Sequence, residues 1–123
     1  MVGTKLTTAG IIKMATDLYA AGAGIWKYVD WGTGTTDPVI ANTALETPAT
    51  ETRATATITN PSSAVYRAVG SLTCNATGKT ISEAGLFSAS TGVTLLIRGT
   101  FTGIPVVQND VIQFTFDLTY TTS

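Results

Sequence analysis

Histidine is absent from this 123-residue chain, and cysteine occurs once, at Cys74. Without an imidazole there is no Ser–His or Cys–His nucleophile pair and no histidine-ligated metal. A single cysteine forms no intrachain disulfide and no thiolate zinc site. Charge is scarce too: Asp, Glu, Lys and Arg make up 12% of the residues, about half the usual share. Seven basic and eight acidic side chains leave a formal charge of -1, which excludes the basic footprint of a duplex-binding protein. No apolar run approaches the roughly 18 residues of a membrane span. The segment after Met1 carries Lys5 and Lys13 but no apolar h-region. These absences predict a chain made in a cytoplasm, with no cofactor, no nucleic-acid partner and no membrane partner.

What is present fits one domain over residues 1–123, long enough to bury roughly two-thirds of its extended surface. Its exposed surface must be mostly Thr, Ser, Ala, Gly and Asn. So little charge gives a free monomer weak colloidal repulsion, a hint that neighbouring subunits cover part of it. In "TTAGIIKMATDLYAAGAG", Ile11, Ile12, Ala15, Leu18 and Tyr19 recur at helical spacing, which predicts an amphipathic helix over 7–22. Thr7 or Thr8 is placed to cap it, and Gly22 or Gly24 to end it. Sequence does not decide whether this helix packs on its own sheet or on a neighbour.

Residues 25–31 then take a strand rhythm, with Trp26, Tyr28 and Asp30 on one face and Ile25, Val29 and Trp31 on the other. "GTGTTDP" reads as a loop, and "VIANTALETP" as irregular with a short helical turn. From 50 to 121 the pattern is β. "ETRATATITN" alternates, with Ala54, Ala56 and Ile58 on its apolar face. "VIQFTFDLTY" alternates most clearly, with Ile112, Phe114, Phe116, Leu118 and Tyr120 facing one way. The expected fold is mainly β: an antiparallel, jelly-roll-like β-sandwich with one N-terminal helix. Thr richness suits exposed strand positions and needs no functional explanation.

The hairpin "ISEAGLFSASTGVTLLIRGTF" puts charge inside apolar strands. With Ala89–Gly92 as the turn, Phe87 pairs with Thr94, Gly85 with Leu96 and Glu83 with Arg98. One face then carries Ala84, Leu86, Leu95 and Ile97; the other carries Ile81, Glu83, Phe87, Leu96 and Arg98. A one-residue slip would exchange the faces. Glu83 and Arg98 read either as a partly buried structural ion pair fixing register or as part of a face docking on a neighbouring subunit. Elsewhere, Cys74 reads as an inert buried thiol, and Glu46 and Glu51 as solvated loop carboxylates. "GTGTT" lacks the lysine of a phosphate-binding loop. Trp26, Tyr28 and Trp31 read as core anchors, interface residues or a sugar platform. Enzymatic activity is not expected.

Five stretches together carry a resemblance: "GTGTT" at 32–36, "TALETP" at 43–48, "ISEAGLF" at 81–87, "LLIRGTFTGIPV" at 95–106 and "NDVIQFTFDLTY" at 109–120. They resemble short β-rich virion structural proteins of tailed bacteriophages, with Asn109-Asp110 standing where Gly-Asp is the expected pair. The resemblance implies a non-enzymatic capsid decoration (cement) protein, or else a tail, neck or baseplate component. It implies synthesis in the host cytoplasm, residence in the virion, self-association as a homotrimer and binding to the major capsid protein or other virion proteins. A carbohydrate-binding adhesion module is the alternative from another class. The interface residues expected on this reading are Trp26, Tyr28, Trp31, Glu83, Phe87, Leu96 and Arg98.

Overall fold

Helical spacing near the start and alternation after it become one helix and two sheets in a computed structural model. It describes residues 7–22, 26–62, 64–75, 77–92 and 94–119. Helix α1 (Thr8–Gly22) begins where Thr7 Oγ1 accepts the Gly10 N–H at 3.0 Å, an N-cap bond that satisfies an otherwise orphaned donor. Lys13 and Asp17 pair one turn apart on its exposed side, at 2.7 Å. Leu18 packs against the sandwich core, so the helix meets its own sheet at that point. Ile12 and Tyr19 stay exposed, against their expected place on a buried face. The Ile11 and Ala15 side chains lie outside what is described.

The strands are β1 (Tyr28–Gly32), β2 (Ala54–Thr55), β3 (Thr57–Thr59), β4 (Val65–Thr73), β5 (Lys79–Phe87), β6 (Leu95–Val106) and β7 (Val111–Thr119). They form two antiparallel sheets, ordered β2-β1-β5-β6 and β3-β4-β7. Val29, Trp31, Ile81 and Leu86 of the first meet Tyr66, Ala68 and Leu72 of the second in one buried cluster. The Trp31 ring stands edge-on to Phe114 of β7, with centroids 6.3 Å apart. The fold is mainly β and sandwich-like, as expected.

Alternation translated well into faces. Val29 and Trp31 point inward, and on β7 the row Ile112, Phe114, Phe116 and Leu118 faces the core while the residues between are exposed. Two expected positions, Ile25 and Tyr120, lie outside the described residues. "ETRATATITN" is split: β2 pairs with β1, and β3 pairs with β4. The chain changes sheet at buried Ala56, whose N–H donates to the Lys27 carbonyl at 2.6 Å. No helical turn forms in "VIANTALETP"; Asn42 N–H closes a turn on the Val39 carbonyl at 3.0 Å instead.

The predicted hairpin register is corrected. Phe87 pairs with Leu95, Gly85 with Arg98 and Glu83 with Thr100. The turn is one residue longer than expected, closed by Ser88 N–H on the Thr94 carbonyl at 3.1 Å. A bulge then falls between Leu86 and Phe87. Such an insertion reverses inside and outside for the residues beyond it. Leu96 therefore joins Ile97 against the core, while Leu95 lies over Gly85 on the opposite face. Glu83 and Arg98 are diagonal neighbours and not directly opposed.

The two sheets approach closely at Gly70 of β4, where an added Cβ would sit 2.9 Å from Val29 Cγ2 and 3.3 Å from Val29 Cβ. Gly70→Val is expected to lower stability by about 1–3 kcal/mol through overpacking, read as a lower urea midpoint at unchanged slope. An unmoved midpoint would contradict this packing.

Candidate functional site

The connection between β1 and β2, residues 33–53, contains neither helix nor strand and only one isolated bridge, Pro48 to Gly32. Unstructured connections longer than about 12–15 residues are uncommon within compact domains and are usually functional. This one is a strap across the outer face of β5, so Ile81 through Phe87 are all buried although one side of that strand faces away from the sandwich core. Leu45, 6% exposed, packs over Gly85.

What holds the strap down is the Glu83 carboxylate, fully buried on β5. Its Oε2 accepts the N–H of Gly34 at 2.9 Å and of Thr47 at 2.7 Å. Its Oε1 accepts the N–H of Glu46 at 2.9 Å and Arg98 Nε at 2.9 Å. Four donors fill the roughly four lone-pair sites of an ionised carboxylate. Each Arg98 nitrogen has a partner as well: the other two donate to Asn42 Oδ1 at 3.2 Å and to the Thr36 carbonyl at 2.9 Å. Ser82 Oγ donates to the Gly34 carbonyl at 2.7 Å.

"GTGTT" gains its meaning here. A Cβ on Gly32 would meet the Thr47 carbonyl oxygen at 2.3 Å, and one on Gly34 would meet Glu83 Oε2 at 2.5 Å. The glycines let backbone approach the carboxylate. Past them, Glu46 closes the strap on itself: its Oε1 accepts Thr35 N–H at 2.9 Å and Thr36 N–H at 3.1 Å, and its Oε2 accepts the Thr36 hydroxyl. These bonds, led by the hydroxyl, hold the Glu46 carboxyl below its ordinary range.

The far end of the strap has two more anchors. Glu51, 8% exposed, accepts Trp31 Nε1 at 2.9 Å, Asn75 N–H at 2.9 Å and Lys79 Nζ at 2.5 Å. Arg53 lies 3.6 Å above the Phe87 ring and donates to the Ala89 and Gly92 carbonyls at the hairpin tip, with Asp30 at 3.4 Å. Burial pushes the Glu51 carboxyl up, but the bonds from Lys79, Asn75 and Trp31 outweigh it and bring it down to about 2. Burial likewise pushes Glu83 up and is outweighed by Thr47, Glu46, Arg98 and Gly34, so its pKa is lowered. At Asp30 burial wins over the Trp31 N–H and Arg53, and the pKa is raised.

Several expectations change. Glu51 is no solvated loop carboxylate, because the strap folds it against Trp31 and Lys79. Trp31, Glu83 and Phe87 are buried by their own chain at 0%, 0% and 1% exposure, so none of them reaches a partner in this fold. The Arg98 side chain is 3% exposed. Leu96 packs toward the core. Trp26 and Tyr28 are half-buried; the Trp26 carbonyl accepts the Tyr66 hydroxyl, and Tyr28 pairs with Phe87. Tyr28 and Trp31 face opposite sides of one strand, so the three rings share no single platform. Glu83 and Arg98 do come together, within the subunit. Sequence reading missed the strap residues Gly34, Leu45, Glu46, Glu51 and Arg53; the paired glycines of "GTGTT" were the one local signal of close backbone approach. Cys74 is buried and free.

Chemically, the arrangement positions backbone. A carboxylate with four donors and a lowered pKa keeps its charge and has no lone pair left for a substrate proton. An open cleft of about 330 Å³ lies beside it, lined by Thr36, Asn42, Leu45, Glu46 and Arg98, where Arg98 donates to Asn42 and Thr36. Among the described residues, no three His, Cys, Asp or Glu side chains group to hold a metal ion. No helix there is long and apolar enough to cross a membrane. Comparison of the chain with family models, with curated proteins and with solved structures finds no match.

Two outcomes follow from the clamp. Arg98→Ala leaves Glu83 buried without its cation, and the expected loss is about 3–5 kcal/mol of unfolding free energy, measured by denaturant titration; unchanged stability would mean the pair is solvated. The acid limb has a defined sign. Glu51 stabilises the fold fully above its ordinary pKa of 4.5, and that contribution is lost as pH falls toward about 2. Glu83 acts in the same direction, whereas the raised Asp30 favours the folded state as pH falls. Stability is therefore expected to drop between pH 4.5 and 2, with a shallower drop in Glu51→Gln; identical profiles would remove Glu51 from the account.

Proposed function

We propose that this chain is a non-enzymatic structural component of a tailed-bacteriophage particle, a decoration (cement) protein bound outside the major capsid protein lattice. The observation that carries the reading is the strap itself. Its two ends are clamped to the sheet by buried charges, and between them Val39 and Ile40 stand out at 59% and 107% exposure. An adjacent apolar pair on a fixed loop suits docking on protein, because little ordering entropy remains to be lost on contact. Four of the stretches behind the resemblance supply this one construction: "GTGTT" and "TALETP" form the strap, "ISEAGLF" supplies Glu83, and "LLIRGTFTGIPV" supplies Arg98.

A cement protein binds assembled lattice better than free subunits and so shifts assembly by mass action. Repetition over a symmetric shell makes a modest affinity per copy sufficient. The saturated carboxylates favour this reading over an enzymatic one, since a strap built to stay closed offers no reacting group.

The test is co-sedimentation with shells of the major capsid protein encoded by the same genome, and separately with tails. Wild type is expected to pellet with shells, and Ile40→Asp to bind at least about tenfold more weakly, the loss of roughly one buried apolar side chain, with an unchanged melting temperature. Binding to tails alone would transfer the protein to a neck, tail or baseplate role. Equal shell binding by Ile40→Asp would remove the strap tip as the contact.

A further inference from the structure

A sandwich has edges, and an edge strand offers unpaired N–H and C=O groups to any other chain. Three of the four edges here are blunted. Strand β2 has two residues and β3 has three. Strand β6 is interrupted by two register shifts and carries Pro105. The fourth, β7, differs: nine residues pair with β4 in unbroken register from Val111 to Thr119, with no proline, glycine or lysine among them. Among the described residues its other side pairs with nothing.

Its core-facing row is also incompletely covered. Ile112, Phe114, Phe116 and Leu118 are only half-buried, whereas Tyr66, Ala68 and Leu72 on the neighbouring strand are 0–2% exposed. An apolar hollow beside this edge is lined by Phe101, Ile104, Ile112 and Phe114. The one charge on β7, Asp117, is already matched by Arg67 through two bonds of 2.7 and 2.9 Å.

The occupant that fits is a second copy, because the strand complements itself when reversed. Centred on Thr115, antiparallel pairing sets Ile112 against Leu118 and Phe114 against Phe116 on the core face. On the outer face it sets Gln113 against Asp117, Val111 against Thr119, and Thr115 against its own twin. Apolar residues meet apolar residues along the core face, and the two Asp117 carboxylates do not face each other, so no like charges oppose. The geometry points to an isologous dimer in which β7 pairs with β7 of a second copy about a twofold axis at Thr115, joining two three-stranded sheets into one of six.

This deepens the proposed function by naming how copies meet, as a dimer in place of the expected homotrimer, and its test needs purified protein only, so failure to bind shells and failure to dimerise are separate results. Sedimentation across a concentration series is expected to show a reversible monomer–dimer equilibrium. Thr115→Cys is expected to cross-link on mild oxidation, since directly opposed Cβ atoms lie about 4.5–5.5 Å apart, near disulfide reach. Val111→Cys alone is expected not to cross-link, whereas Val111→Cys with Thr119→Cys is. Buried Cys74 stays out of the reaction. Thr115→Lys places two ammonium groups on the axis and is expected to weaken the dimer by roughly tenfold or more, with an unaltered circular dichroism spectrum. A wild type that stays monomeric, a trimer, or a dimer in which Val111→Cys cross-links as well as Thr115→Cys would overturn the inference.

Discussion

One buried carboxylate organises this protein. Taking an ion out of water costs several kcal/mol even after relaxation, so Glu83 is tolerable on a buried strand only with all of its lone pairs engaged. Three of its four donors are backbone N–H groups from two separated parts of the strap, and the fourth is Arg98. The dependence is mutual. Without the strap Glu83 would keep only Arg98 as a partner, and without Glu83 the strap would lose the acceptor of three of its N–H groups. Leu45, Phe87 and Leu95 can share a second small apolar layer outside the sheet because that closure holds.

Side-chain parity was readable because a half-buried strand repeats every two residues, and β7 follows that rule. Register was not, because a bulge at Leu96 leaves no mark in an apolar run where Leu95, Leu96 and Ile97 are interchangeable by hydropathy. The strap was less readable still. Its decisive bonds are made by peptide N–H groups, which every residue except proline carries, to a carboxylate 36–49 positions away. Composition also misled: Glu51 sits in a polar stretch that reads as solvated, and only folding brings Trp31, Asn75 and Lys79 around it. The aromatic trio was partly legible, since Tyr28 and Trp31 are three apart in a strand and so cannot share a face.

The economy of charge at the surface follows from the same construction. Glu83, Glu51 and Asp30 are each turned inward against Arg98, Lys79 and Arg53, so a large part of a small charged complement is spent on fixing loops. What remains outside is threonine-rich strand surface, an apolar strap tip and one regular open edge. A protein built this way has contact surface to offer and few reacting groups, and that balance underlies the reading of it as a particle component.

The central claim is that the strap is a fixed part of the fold at neutral pH and not a loop resting on it. Amide hydrogen exchange of Gly34, Glu46 and Thr47 measures this directly, because those three N–H groups are the ones the Glu83 carboxylate accepts. The account predicts protection comparable to that of the β5 core amides, with exchange requiring global unfolding. Exchange at these sites orders of magnitude faster than in β5, at the rate of an open coil, would contradict it.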